Sequence, residues 1–369
     1  MHQLRRILAL HAVLGLAATW AQQAPASAQD VDLPTPEQYA ERAAAAERAP
    51  LFQSTEPLRL TLRTDIEWLR DERNDSVEVE GTATFVDLDG SVIERPVDVR
   101  ARGNFRRDKR NCNFPPLRLD FPRGQMDGTV FEGQNRLKLV TPCHDGRDDY
   151  QRYVYDEYLA YRVYQMLTPY SFRARLVEIT YEDIEDDYDT RTKIGFLIES
   201  DEQLAERNRA THVELTQLHP ARAEAQQSIV ASMFNYMIGN TDWSAAYFHN
   251  VVLLRTEDAR YMSVPYDFDF SGVVNARYAT VPPLLADRIR RVTQRLYRGF
   301  CRPELQREPI AELFNAKRED IQDLYLGFEL HEEDDRRDRL EYFEDFYEVI
   351  NDPAEFEDEI LDDCTPIPS

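Results

Sequence analysis

The chain has 369 residues, enough for one large domain or two ordinary ones, which excludes a small scaffold that depends on crosslinks. It has 44 Lys and Arg against 68 Asp and Glu, and the resulting formal charge of -24 repels nucleic-acid phosphates and anionic lipid headgroups. A hydrophobic content of 42% with 13 glycines excludes disordered and collagen-like chains. We therefore expect a folded globular protein that does not bind nucleic acid.

The N-terminus has the three-part pattern of a secretory signal peptide. Arg5 and Arg6 precede an apolar run at 7–20, and the small residues at 26–28 follow it. This pattern predicts cleavage after residue 28 and export to the periplasm or the extracellular space. No later apolar stretch is long enough for a membrane span, so we expect none after cleavage of residues 1–28.

The next part of the chain predicts a short leader followed by a sheet. Residues 29–57 contain four prolines around a helix-like stretch at 37–48. From residue 58 the hydrophobic period changes to two. The predicted strands are 58–62, 77–86, 97–101, 117–121, 136–140, 176–181 and 193–199. Residues 58–199 are therefore predicted to form a mostly antiparallel, sheet-rich N-lobe.

Helical patterns dominate the rest. One long helix is predicted within the sheet-rich part, at 149–167, and its tyrosines recur at spacings near three, which favours core packing over a cofactor role. After residue 199 the predicted elements are helices at 201–208 and 221–238, strands at 250–254 and 261–265, and helices beyond. Residues 200–369 are predicted as a helical C-lobe whose acidic tail, 332–363, is a solvated helix with one buried stripe.

The chain has four cysteines, all after the predicted cleavage site. An even number in an exported protein favours disulfides, and four cysteines allow three pairings. We favour Cys112 with Cys143 and Cys301 with Cys364, because each pair flanks one predicted unit. Zinc sites use shorter cysteine spacings than any found in this chain, which disfavours a zinc site.

Two segments carry the residue types of a phosphoryl-transfer site. Asp242 follows a helix end and Asn250 begins a strand, while Asp267 and Asp269 share one face of a strand end. Oxygen ligands on adjacent strand ends suit a hard divalent ion, and a separate Asp suits a base that orients a hydroxyl. Asp242 alone is equally well explained as a turn cap.

The sequence resembles the spore-coat-protein-H (CotH) kinase-like family, a distant relative of protein kinases. The likeness covers roughly residues 58–275. It rests on four motifs in order: Val99-Arg-Ala-Arg-Gly-Asn104, Ile194-Gly-Phe-Leu-Ile-Glu199, Gly239-Asn-Thr-Asp242 with Asn250, and Pro265-Tyr-Asp-Phe-Asp-Phe-Ser-Gly272. The chain departs from the family pattern at Tyr266, where the family has Trp, and in the spacing of Glu199 and Gly272.

The resemblance implies roles for the motif residues. Asp242 would be the catalytic Asp, while Asn250, Asp267 and Asp269 would hold the metal. Glu199 would lie at the hinge that holds the adenine.

The residues that would bind the nucleotide phosphates are lysines and arginines of the sheet-rich N-lobe. Lys138 is the only lysine in a strongly apolar strand, so its side chain points either inward to a partner or outward from the sheet. If it points inward, Glu157 on the following helix is its expected partner, with Asp156 as the neighbouring alternative. Lys193 is the second choice of lysine. Two arginines, Arg102 and Arg118, are further candidates. The implied cofactors are ATP and Mg²⁺ or Mn²⁺.

These inferences predict an α+β protein with a two-lobed, protein-kinase-like fold. The predicted activity is metal-dependent transfer of the ATP γ-phosphoryl group to a hydroxyl of a protein substrate. The alternative is an exported pseudokinase or cell-envelope interaction module without catalysis. A third possibility is a metal-dependent hydrolase that uses Asp267 and Asp269.

Overall fold

The structure is a computed structural model that describes residues 33–368. The predicted signal peptide, residues 1–28, lies outside the described residues. Within the described part, no helix is long and apolar enough to cross a membrane.

Seven strands form a closed barrel in the order β1-β2-β3-β4-β5-β7-β6. Their bounds are β1 (Leu58–Thr64), β2 (Val79–Val86), β3 (Val92–Ala101), β4 (Leu117–Asp120), β5 (Arg136–Val140), β6 (Ala174–Asp183) and β7 (Arg191–Ile198). The period of two explains why the barrel has a core, since alternate apolar residues point inward. Leu60, Leu119 and Leu139 are among the buried residues of this interior cluster.

The prediction of a kinase-like, two-lobed fold with an antiparallel sheet was wrong. β1 pairs with β6 in parallel over seven residue pairs, from Leu58 with Val177 to Thr64 with Asp183, and this pairing closes a mixed barrel. Residues 35–369 moreover form one compact unit. Alternating hydropathy identified the strands but carries no information on which edges pair, and the closing pair joins strands more than 100 residues apart.

The remaining elements are helices and a small sheet. The helices are α1 (Pro36–Arg48), α2 (Ile66–Glu72), α3 (Gln151–Leu167), α4 (Asp201–Arg207), α5 (Ala225–Met237), α6 (Arg307–Asn315), α7 (Arg318–Leu326), α8 (Glu333–Asn351) and α9 (Pro353–Phe356). The sheet has the order β10-β9-β8, with β8 (Ala210–His212), β9 (Val251–Thr256) and β10 (Tyr261–Pro265). Residues 266–270 were predicted as a strand end and the residues from there to 306 as helical, but 266–306 form turns with one short 3-10 helix.

Helix α3 connects the barrel to the helical part of the molecule. It packs on β6 and β7 and also contacts α7. The tyrosines predicted as core residues are buried, among them Tyr158, Tyr161 and Tyr164. Tyr164 stacks on Phe234 of α5 with ring centroids 4.4 Å apart. Helix α3 is therefore packed against both parts of the molecule, and its residue Glu157 contributes to the site described below.

Both favoured disulfides are confirmed. Cys112 is bonded to Cys143 and Cys301 to Cys364, and no free cysteine remains in the described part of the chain. Disulfides persist in oxidising compartments. The bonds are therefore compatible with a secreted protein.

Candidate functional site

The segment after β10 turns sharply at Asp267. The backbone N–H of Tyr266 donates to the Asn250 carbonyl (3.0 Å), and that of Asp267 donates to the Tyr161 hydroxyl (2.9 Å). Asp267 has φ +65°, a left-handed conformation that is costly for a side-chain-bearing residue. Two hydrogen bonds thus hold a strained turn, which leaves Asp267 between β10 and α3.

Buried charges lie next to this turn. Glu157 of α3 and Asp269 each lie 3.9 Å from the guanidinium of Arg106, and all three side chains are buried. The Tyr278 hydroxyl donates to Asp269 (3.1 Å). We call Glu157, Asp267 and Asp269 the carboxylate cluster.

Burial and mutual repulsion disfavour the charged forms of the carboxylate cluster. Burial first, and then the charges of Asp269 and Asp267, raise the pKa of Glu157 well above its usual value. Burial and the charge of Asp267 likewise raise the pKa of Asp269, to about 7. One oxygen of Glu157 is buried without a hydrogen-bond partner. A cation that enters would therefore stabilise the charged forms, and Glu157 has one free oxygen that can bond to it.

The cluster is not a complete metal cage. Among residues 33–368, no three His, Cys, Asp or Glu side chains come close enough to hold a metal ion by themselves. Mg²⁺ is usually bound by only one or two carboxylates, with substrate phosphates and water as its other ligands. The donor set consequently fits a metal that arrives with a phosphate ligand better than a resident structural ion.

Asp242 is a further carboxylate within electrostatic reach of this cluster. Its charge contributes to the raised pKa of Asp269, so the two carboxylates are electrostatic neighbours. His249 Nε2 lies 2.9 Å from one Asp242 oxygen, and Asn250 Nδ2 donates to the other oxygen (3.2 Å) and to the Asp242 carbonyl (2.8 Å). Asn250 thus orients Asp242 in this structure, while its predicted role as a metal ligand stays a prediction.

A row of basic side chains lies across three strands of the barrel. Arg100, Arg118 and Lys138 are directly opposite one another in the registers of β3, β4 and β5. Their neighbours Leu119 and Leu137 point into the barrel, so the row lies on the outer face. Like charges in such positions are destabilising. We call these three residues the cation row, and an anion bound there would relieve their repulsion.

The cation row ends at the turn that holds Asp267. The ammonium of Lys138 lies 4.7 Å from the ring centroid of Tyr266 and 5.1 Å from that of Phe172. The residue after Tyr266 is Asp267, so the positive row and the carboxylate cluster meet at this turn. Arg102, at the next outward position beyond Arg100, lowers the pKa of Glu157 by its charge.

Lys138 points outward, one of its two predicted directions, so the pair with Glu157 does not form. Lys138 is bonded to Asp201 at the start of α4 (2.8 Å), because its outward direction on β5 leads there. Arg106 takes its place beside Glu157. Sequence reasoning missed Arg106, and the only signal was its position two residues after the Arg-Gly-Asn motif.

Two other predicted residues have protein partners. Glu199 is buried, forms an ion pair with Arg207 (3.0 Å) and accepts from the Arg173 backbone N–H (3.1 Å), so its contact with an adenine ring stays a prediction. Lys193 is bonded to the exposed Asp148 (2.9 Å). His249 was also missed, although it directly precedes Asn250 in the chain.

The buried carboxylates predict a pH dependence of stability. The pKa of Asp269 is higher in the folded chain than in the unfolded chain, so the folded state binds more protons, and stability falls as pH rises from about 4 to about 7. We expect Asp269→Asn to have a flatter dependence, measured as the urea midpoint against pH in the presence of a chelator. Parallel curves for the two proteins would contradict this prediction.

Comparison with known proteins identifies no relative of this chain. The chain matches no family model and no curated protein. The likeness to the CotH kinase-like family therefore rests on the four motifs alone.

Proposed function

We propose that the residues from the cation row to Asp242 bind Mg²⁺ and ATP and transfer the γ-phosphoryl group to a hydroxyl. The observation that supports this most strongly is the meeting of positive and negative groups at one turn. Lys138 lies against Tyr266, and the carboxylate cluster begins at the next residue. In phosphoryl transfer the phosphates are bound by positive side chains, and their metal ion is bound by carboxylates.

The carboxylate cluster would hold the metal. Asp267 and Asp269 are the first candidates, and the oxygen of Glu157 without a partner is a further donor. A bound divalent ion would neutralise charge on the transferring phosphates. Arg106 balances part of the buried negative charge of the cluster.

Asp242 would act at the acceptor. His249 and Asn250 both bond to its carboxylate and fix its direction. In the transfer, the acceptor oxygen bonds to the γ-phosphorus as the bond to the β–γ bridging oxygen breaks, and ADP leaves. Asp242 accepts the hydroxyl proton.

Export is part of the proposal. The two disulfides support a chain that matures in an oxidising compartment, the periplasm or the extracellular space. The ATP must then be released from the cytoplasm, or the chain must bind it during export.

One observation favours a second candidate, an interaction module without catalysis. Lys138 faces outward and is bonded to Asp201, so it does not pair with Glu157. In such a module the carboxylate cluster and the cation row would bind a metal or an anion without transfer.

Titration of the oxidised chain with ATP in a calorimeter, with and without Mg²⁺, tests the first proposal. We expect binding that requires Mg²⁺, followed by incorporation of labelled γ-phosphate into added protein. Binding without incorporation would favour the interaction module, whereas the absence of both with an intact fold would rule out the nucleotide site.

A further inference from the structure

Two glycines connect the chain segments that carry the carboxylates of the site. Gly239 precedes Asp242 by three residues, and Gly272 follows Asp269 by three. The backbone N–H of Gly272 donates to the Gly239 carbonyl (3.1 Å), and a second backbone hydrogen bond joins the next residue of one segment to the preceding residue of the other (3.0 Å). We call Gly239 and Gly272 the glycine pair.

Neither glycine has room for a side chain, because the hydroxyl of Tyr342 on α8 occupies the space. A Cβ atom built on either residue would overlap that hydroxyl. On Gly272 it would also lie 2.8 Å from the Val292 carbonyl oxygen. Gly239 has in addition φ +65°, a conformation that favours glycine. One tyrosine therefore packs against both segments at the point where they are joined.

The ring of Tyr342 is itself held in place. Its hydroxyl donates to the Thr293 carbonyl (3.2 Å). The guanidinium carbon of Arg295 lies 3.9 Å from the centroid of its ring. Arg295 also donates to the carbonyl of Met237, the last residue of α5 (3.2 Å), and to the Tyr342 carbonyl. The tip and the face of the ring both have partners, which fixes the hydroxyl relative to the end of α5.

Helix α8 also holds the segment that carries the third carboxylate. Arg339 precedes Tyr342 by three residues, and residues three apart lie on one face of a helix. Arg339 forms an ion pair with Asp156 of α3 (2.8 Å), and the next residue of α3 is Glu157. One face of α8 thus contacts all three segments from which the carboxylates of the site come.

We propose that α8 sets the distance between Asp242 and the carboxylate cluster, with Tyr342 as a positioning residue that acts through the glycine pair. This inference rests on the proposed phosphoryl transfer, in which a hydroxyl at Asp242 must meet a phosphate whose metal the cluster holds. A displacement of about 1 Å between reacting groups can cost a factor of about 10² in rate.

Hydrogen exchange of the oxidised full chain, without nucleotide, tests the contact. The measured amides are those of Gly272 and Val273, the donors of the two hydrogen bonds between the segments. We expect Tyr342→Leu to speed their exchange about tenfold, because the shorter side chain makes local opening easier. The control is Tyr347→Leu, which truncates a tyrosine of α8 that packs against Arg318 of α7 (4.5 Å), and it should leave these two amides unchanged.

Phosphate transfer gives the second readout. We expect Tyr342→Leu to lower kcat about 10²-fold with little change in KM for ATP, because the cation row belongs to the barrel. Tyr347→Leu should leave kcat unchanged. Tyr347 is the more buried of the two tyrosines, so the control loses at least as much packing, and a general loss of stability cannot explain a difference between the variants.

A double-variant cycle shows whether the Tyr342 hydroxyl is the contact that matters. Gly239→Ala combines the strain of alanine at positive φ with overlap between its methyl group and the hydroxyl. In the Tyr342→Phe background the strain is the same but the overlap is absent. Gly239→Ala should therefore lower kcat about tenfold more in the wild-type background than in the Tyr342→Phe background.

The outcomes separate this proposal from the proposed activity. Wild-type exchange rates in Tyr342→Leu would overturn the positioning role, and so would faster exchange with an unchanged kcat. If Tyr342→Leu does not fold, Tyr342→Phe, which removes only the hydroxyl, replaces it in both measurements. A wild-type chain that transfers no phosphate would contradict the proposed activity, and the exchange rates would still decide whether Tyr342 holds the two segments together.

Discussion

Asp267→Asn is expected to lower Mg²⁺-dependent phosphate transfer by about 10²–10³-fold, the loss typical of removing one preorganised electrostatic group. The fold should survive, because asparagine tolerates the left-handed conformation (φ +65°) that this turn requires. Stability should even rise at neutral pH, since the charge of Asp267 opposes those of Asp269 and Glu157. Labelled phosphate incorporation and the thermal midpoint measure the two effects.

Asp148→Asn is the matched control for Asp267→Asn. Asp148 is an almost fully exposed carboxylate bonded to Lys193, so its loss should change neither activity nor stability measurably. An Asp267→Asn protein that keeps more than about a tenth of the wild-type rate would contradict the role of this carboxylate. A lower midpoint would show that Asp267 serves mainly to hold the turn.

The second large effect is expected from a buried ion pair between α3 and α8. Asp156 is fully buried, and it accepts from Arg339 Nε (3.1 Å) and Nη2 (2.8 Å). His331 Nε2 lies 3.0 Å from the same carboxylate. Arg339→Met would leave a buried charge without its main partner, so we expect a loss of about 3–5 kcal/mol in the free energy of unfolding, measured with urea.

Arg337→Met on the same helix separates this effect from a general change in α8. Arg337 and its partner Asp334 are both exposed, and removal of such a pair should change the free energy of unfolding by less than about 1 kcal/mol. The double variant Asp156→Leu with Arg339→Met should recover much of the loss, because it removes both charges. A single-variant loss as small as that of Arg337→Met would contradict the prediction.

Local patterns predicted the elements near the site and part of its chemistry. Strands β4 and β5 were predicted within one residue of their observed bounds, because Leu119 and Leu139 alternate with polar residues over a buried face. That Asp267 lies near Asp269 was predicted, but on one face of a strand, whereas the strand ends at Pro265 and Asp267 lies in a turn with φ +65°. The contacts of Arg106 were not predicted, because its partners are about 50 and 160 residues away in sequence, and only the fold brings them together.

By itself the sequence determined the positions of most strands and of the long helix, since hydrophobic period and helix-stopping residues act over a few positions. It also narrowed the disulfides to one favoured pairing. The tertiary structure decided that β1 meets β6 in a closed barrel, that Lys138 pairs with Asp201 and that Arg106 lies beside Glu157. Each of these depends on which distant surfaces pack together, because burial and charge act through space and leave no local pattern in the chain.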